Sequence, residues 1–94
     1  MINEQAVLKF WFDEKNKPKW FVADRKFDDE ILHKFFMSYK AATTNAKLEQ
    51  WANTPHKILA LIIVLDQFPR NMFRGISKAY ETDKLALSLT KKAI

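Results

Sequence analysis

The run Ile58-Leu59-Ala60-Leu61-Ile62-Ile63-Val64-Leu65 constrains this chain more than any other feature. Thr54-Pro55 precedes it: a capping hydroxyl followed by proline at the first helical position reads as a helix start. A helix from Pro55 with apolar residues on every side has no face suited to water, so it is expected to be the central, most buried element. The β-branched Ile62, Ile63 and Val64 also suit a strand. The cap, the leucine and alanine content and the helical neighbours decide for a helix. Pro69 disfavours helical geometry at Phe68 and is expected to end or kink the helix there.

The rest of the chain supplies helices to cover this one. Only one glycine and three prolines interrupt it, so punctuation is scarce. Asn3 can cap a first helix whose C-terminal half, Val7, Leu8, Phe10, Trp11 and Phe12, is strongly apolar. Residues 13 to 19 form a polar loop, followed by the short apolar anchor Trp20-Phe21-Val22. A second helix is expected from Asp24 to Ala42. Phe27, Ile31, Phe35 and Tyr39 repeat in it every four residues, with Leu32 and Phe36 broadening the apolar face. Asp28, Asp29 and Glu30 suit its positive N-terminal end. Thr43, Thr44 and Asn45 should break it. A short helix then buries Ala46, Leu48 and Trp51. Asn71 to Gly75 reads as a turn in which Gly75 is free to take positive φ. Thr82 caps a last helix with Leu85, Leu89 and Ala93 on one face and Lys91 and Lys92 near its end.

Composition removes several classes of function. With 48% hydrophobic and 14% aromatic residues the chain can bury a core, and 94 residues make one domain or part of one. There is no cysteine, hence no disulfide, thiol nucleophile or Cys-based zinc site. A single glycine rules out the GxGxxG and GxxxxGK[ST] phosphate loops, and His33 and His56 form no HxxxH or HExxH pattern, so neither a cofactor nor a metal is expected. The N-terminus has no basic region followed by a long apolar stretch and a small-residue cleavage site, so no secretory signal is expected; the longest apolar run is too short for a membrane span, which reads as a soluble, cytoplasmic protein. The net charge of +5 permits nucleic-acid binding, but the lysines are scattered among acids. The aromatics fall mostly at core spacing, with Trp20-Phe21 the pair expected to be partly exposed. No specific nucleic-acid partner is expected.

One polar cluster stands apart: Asp66, Gln67, Arg70, Asn71 and Arg74, at the end of the buried helix. Asp66 follows an apolar stretch near a helix C-terminus, where the dipole disfavours a carboxylate. Arg70 lies four residues on and Arg74 eight, both within reach of Asp66. The first reading is a structural knot that fixes the turn, with arginine neutralising Asp66. The second is an anion-binding or catalytic pocket in which Arg70 and Arg74 hold a carboxylate or phosphate and Asp66 acts as base.

The same segment carries a resemblance. LALIIVLDQFPRNMFRG, the FWF near the start, Trp20-Phe21 followed by FDDEI, LEQWANTP and AYETDKLALSL resemble the family known as domain of unknown function 924. The resemblance implies an all-α fold of antiparallel helix pairs in a tetratricopeptide-like bundle, and a bacterial source. It implies no established activity. Family members are usually about twice this length, so residues 1 to 94 are expected to be the N-terminal half of a longer domain.

Two functions follow as expectations. The first is a helical interaction module taking a peptide or small anionic ligand, by analogy of fold alone. The alternative is a hydrolase whose site at the LDQFPRN turn is completed by a C-terminal half or a partner chain. Leu85, Leu87, Leu89, Ala93 and Ile94 spread over a wide arc, which leads to the expectation of a homodimer through the last helix.

Overall fold

A computed structural model of the chain describes residues 2–44, 48–83 and 85–87, and the regular elements among them are all helical. The first helix, α1 (Glu4–Trp11), starts where the Ala6 N–H donates to the Asn3 side chain at 3.0 Å. Val7, Phe10 and Trp11 point into the core. The end of α1 is closed by side chains as well as by the chain itself, whose Asp13 N–H donates to the Phe10 carbonyl at 3.4 Å. Asn16, only 1% exposed, donates from Nδ2 to the Phe10 carbonyl at 2.8 Å. The Trp20 indole N–H donates to the Trp11 carbonyl at 3.0 Å, and its ring stacks on Trp11 with centroids 5.2 Å apart. Both bonds occupy carbonyls that a helix end leaves without an intrahelical partner.

The second helix, α2 (Arg25–Thr44), opens on Asp24, whose Oδ1 accepts from the Phe27 N–H at 3.0 Å. Its four-residue stripe is buried as expected: Phe27, Ile31, Phe35 and Tyr39, then Ala42. The face is narrower than the sequence suggests, because Leu32 is exposed and Phe36 only half-buried. The helix also continues past Ala42. Thr43 and Thr44 do not break it, since both hydroxyls donate back to the Lys40 carbonyl, at 3.0 and 2.8 Å, within helical geometry. The expected break at Asn45 and the burial of Ala46 and Leu48 lie outside the described residues and side chains. So does the face through Leu89, Ala93 and Ile94, with Lys91 and Lys92.

Tyr39 is buried against Phe73, with ring centroids 5.4 Å apart, and burial, reinforced by the negative charge of Glu81, pushes its phenol above the usual value of 10.0. The folded chain therefore holds the phenolic proton more tightly than the unfolded chain. That contribution is intact below pH 10 and is lost as pH rises through the folded-state value. Tyr39→Phe is expected to leave the urea midpoint at pH 7 nearly unchanged and to flatten the fall of stability above pH 10. Parallel urea titrations of both proteins from pH 7 to 11 check this. Identical alkaline limbs would remove Tyr39 as a cause.

After α3 (Leu48–Trp51), a single turn with a half-buried Trp51, the central rod begins. In α4 (Pro55–Ile62) the Lys57 N–H donates to the Thr54 hydroxyl at 3.2 Å, with proline at the start of the helix as expected. Ala60, Leu61, Ile63, Val64, Leu65 and Phe68 are buried, although Leu59 is exposed, so one side of the rod is left open.

The rod does not end at Phe68. Residues 55–72 are helical without a break: α4 passes into a π turn at Ile63–Gln67 and then into α5 (Phe68–Met72). Phe68 takes right-handed helical angles despite the proline after it. The π turn explains how. The Phe68 N–H reaches the Ile63 carbonyl, five residues back, and Pro69 falls in the first turn of α5, where its missing N–H costs nothing. The Leu65 carbonyl, four residues before Pro69, takes a hydrogen bond from the Thr82 hydroxyl instead. Thr82 thus clips the following segment to the rod, and its own carbonyl accepts from the Ala86 N–H at 3.1 Å as residues 83 and 85–87 turn helical. Asn71 and Met72 belong to α5, so the turn is shorter than the sequence suggests. Gly75 supplies its positive φ, at 87°.

Packing follows from these faces. α2 lies mainly against α5 and the π turn, and α1 against α4. The rings of Phe10, Trp11, Phe27, Phe35 and Phe68 meet where they cross. Among the described residues no helix is long and apolar enough to cross a membrane.

Candidate functional site

The π turn and α5 carry four residues of the polar cluster and the turn after α5 carries Arg74, and tertiary structure sorts them into two knots. In the first, each Asp66 oxygen accepts a hydrogen bond from its own helix. Gln67 Nε2 donates to one carboxylate oxygen at 2.6 Å and Arg70 Nη2 to the other at 2.9 Å. The same Arg70 nitrogen also reaches Asp83, at 3.3 and 3.4 Å from its two oxygens, and the guanidinium lies 5.0 Å from the centre of the Tyr80 ring. Asp66 therefore sits in a widened turn inside a continuous rod, not at a helix C-terminus.

The second knot overturns the expected pairing of Arg74 with Asp66. Arg74 turns to Asp28 at the start of α2, donating from Nε to Oδ2 at 2.7 Å and from Nη2 to Oδ1 at 3.0 Å. Asn71 Nδ2 donates to the same Oδ1 at 2.9 Å. The hydrogen bond from Arg74 to Asp28 raises the guanidinium above its ordinary range, against the opposing effect of desolvation. Asp28 is 15% exposed and ties two elements that are 43 to 46 residues apart in the chain. Local spacing could not pair Asp28 with Arg74, because an acid in the first turn of a helix already has a sufficient local reason to be there.

Four of the five cluster residues, Gln67, Arg70, Asn71 and Arg74, line one cleft of about 240 Å3, and Asp66 does not. The facing wall is the loop Trp20-Phe21-Val22-Ala23, and Tyr80 closes one end. Phe21 is 91% exposed there, in agreement with its expected exposure, whereas Trp20 is half-buried on Trp11. Among the described residues, this lining contains no carboxylate, histidine, serine or threonine. No group of three or more histidine and acidic side chains is positioned to hold a metal ion among them.

A family model described as a bacterial protein of unknown function (DUF924) matches residues 7–94. The chain belongs to the DUF924 family. The solved structure of a protein of unknown function from Agrobacterium tumefaciens is similar to this DUF924 chain, with a TM-score of 0.86 and 36% sequence identity. The match covers 96% of this chain and 50% of that one, so the chain spans half the length of that relative. Among curated proteins nothing matches.

Proposed function

We propose that this DUF924 chain is a helical interaction module and that the cleft between the Trp20–Ala23 loop and α5 receives a peptide segment. The observation that carries the reading is the chemistry of the lining. It offers aromatic and aliphatic walls and amide and guanidinium donors, and among the described residues of the lining no general base or hydroxyl nucleophile besides the Tyr80 phenol. Asp66, the base a hydrolase reading needs, lies outside that lining with both oxygens already accepting hydrogen bonds.

A small anion fits less well than a peptide. Two guanidiniums face three carboxylates, Asp28, Asp66 and Asp83, so the cluster is already one charge negative. A further anion 4 Å from an unbalanced carboxylate meets repulsion on the order of 4 kcal/mol at a surface-like dielectric. A neutral peptide avoids that penalty. Its carbonyls can accept from the N–H groups of Arg70, Arg74 and Gln67 that remain, while an apolar side chain packs between Phe21, Val22 and Tyr80. An uninterrupted helical rod with a π turn beside the cleft suits such a role, since π turns recur at functional sites. Helix pairs of tetratricopeptide-like type would present a groove of this kind.

Capped tripeptides varied at the central residue, titrated into 15N-labelled protein, test the reading. Amides of Val22, Ala23 and Gly75 should shift saturably with an apolar central residue. Phe21→Ala should weaken that binding about tenfold. It should leave the denaturation midpoint unchanged, because the side chain is almost wholly in water. Shifts produced by phosphate or acetate but by no tripeptide would replace the peptide reading with an anion site.

A further inference from the structure

The buried stripe of α2 faces the core, and the opposite side of the same helix is not the polar surface that position calls for. Leu32 is 38% exposed and Met37 71%, and Phe36, stacked on Tyr39, is half-buried. With Asp29 and His33 these three side chains line one open depression. Single exposed apolar residues need no explanation, but a contiguous set on one helix face marks a contact surface.

Charge says what fits there. Asp29 stands at one end of the patch and Lys40 at the other, on the same side of the helix and about 16 Å apart along its axis. Among the described residues neither takes part in an ion pair, whereas Lys34, off this face, is committed to Glu30 at 2.9 Å. A face with an acid at one end, a base at the other and apolar side chains between complements a copy of itself laid across it in the opposite direction. Each Asp29 then meets Lys40 of the other copy, and Leu32, Phe36 and Met37 of both copies share the middle. Laid in the same direction, acid would meet acid and lysine would meet lysine. The opposed direction also brings Arg25 and Lys26 of each copy to the carbonyl end of the other α2, at Thr43 and Thr44, where the helix dipole favours cations.

We propose that two copies of this chain associate through α2, antiparallel about a two-fold axis, with Asp29 of each copy paired to Lys40 of the other around Leu32, Phe36 and Met37. The face shares no residue with the cleft assigned to a peptide, so the two readings stand or fall separately. A helix of this length offers a footprint of about 30 Å by 10 Å, short of the roughly 800 Å2 per partner of a standard interface. The dimer is therefore weak and forms with concentration.

Sedimentation equilibrium from about 10 μM to about 1 mM, the range of weak specific association, should show the mass rising from one chain toward two. Asp29→Lys and Lys40→Asp should each weaken self-association at least about tenfold, because each sets like charges opposite one another. An equimolar mixture of the two variants should associate as the parent does, since both ends of the mixed pair again carry opposite charges. Met37→Glu, at a side chain mostly in water, should weaken the dimer at least about tenfold without changing the far-ultraviolet circular dichroism of the monomer. A monomer throughout the range would overturn the proposal and leave the face to a different protein. Association indifferent to all three variants would also overturn it, placing the contact elsewhere on the chain. A mixture of Asp29→Lys and Lys40→Asp that stays monomeric would exclude the antiparallel pairing.

Discussion

Phe68→Ala is expected to destabilise the chain by about 3–5 kcal/mol, a large fraction of the roughly 5–15 kcal/mol total stability of a typical small domain. Phe68 is fully buried at the start of α5 and touches rings from two other helices. Its centroid lies 4.8 Å from that of Phe35, 5.7 Å from Trp11 and 6.3 Å from Phe10. Truncation removes the transfer energy of the ring and leaves a cavity walled by aromatic side chains, which cannot collapse to fill it without moving α1 or α2. Phe68→Leu, which keeps most of the volume, should cost less than about 1.5 kcal/mol. Urea unfolding of the two variants beside the parent measures the difference. Near-equal midpoints for alanine and leucine would mean that the ring cluster contributes little and that α4 and α1 hold the core without it.

The residues around Phe68 show where local rules were sufficient. Asn3 and Thr54 each act through a hydrogen bond to an N–H three residues on, and the four-residue stripe of α2 meets the core because helical period alone fixes which side chains share a face. The failures share a cause as well. Pro69 alone signals a steric conflict with the preceding turn, yet the conflict is relieved by a π turn and by the Thr82 hydroxyl, which reaches the Leu65 carbonyl from 17 residues away. Thr43 and Thr44 look like helix breakers until their hydroxyls find a carbonyl inside the same helix. Asn16 in a polar loop carries no sign of burial, because what buries it is the end of α1 folding back over the turn.

The polar cluster divides along the same line. Four of its members share a cleft wall because Gln67, Arg70 and Asn71 lie about one turn apart on the rod and Arg74 follows in the turn just past its end, and that spacing was visible in the sequence. Their partners were not. Asp28, Asp83 and Tyr80 come from other elements, and a carboxylate close to the start of a helix gives no indication of which distant guanidinium it will meet.

That distant pairing carries the second large effect. Asp28→Ala is expected to cost about 2–3 kcal/mol, because it strips three hydrogen bonds from one partly exposed junction and leaves the Asn71 amide, itself buried, without an acceptor. A smaller part of the loss comes from the α2 dipole, which favours a negative charge in the first turn by about 0.3–1 kcal/mol. Asp66→Asn is the internal comparison. Arg70 is 35% exposed and keeps Asp83 when Asp66 is neutralised, so that change should cost no more than about 1 kcal/mol, the range of surface ion pairs. A double-mutant cycle with Arg74→Met separates the pair from the rest. If the Asp28–Arg74 bond dominates, removing Arg74 first should make the Asp28 substitution much cheaper; if Asn71 dominates, the cost of Asp28→Ala should persist in the Arg74→Met background. Urea midpoints for the four proteins at pH 7 decide between them. An Asp28→Ala loss no larger than that of Asp66→Asn would mean that α2 and α5 are held by their apolar faces alone, with Asp28 a bystander at the helix end.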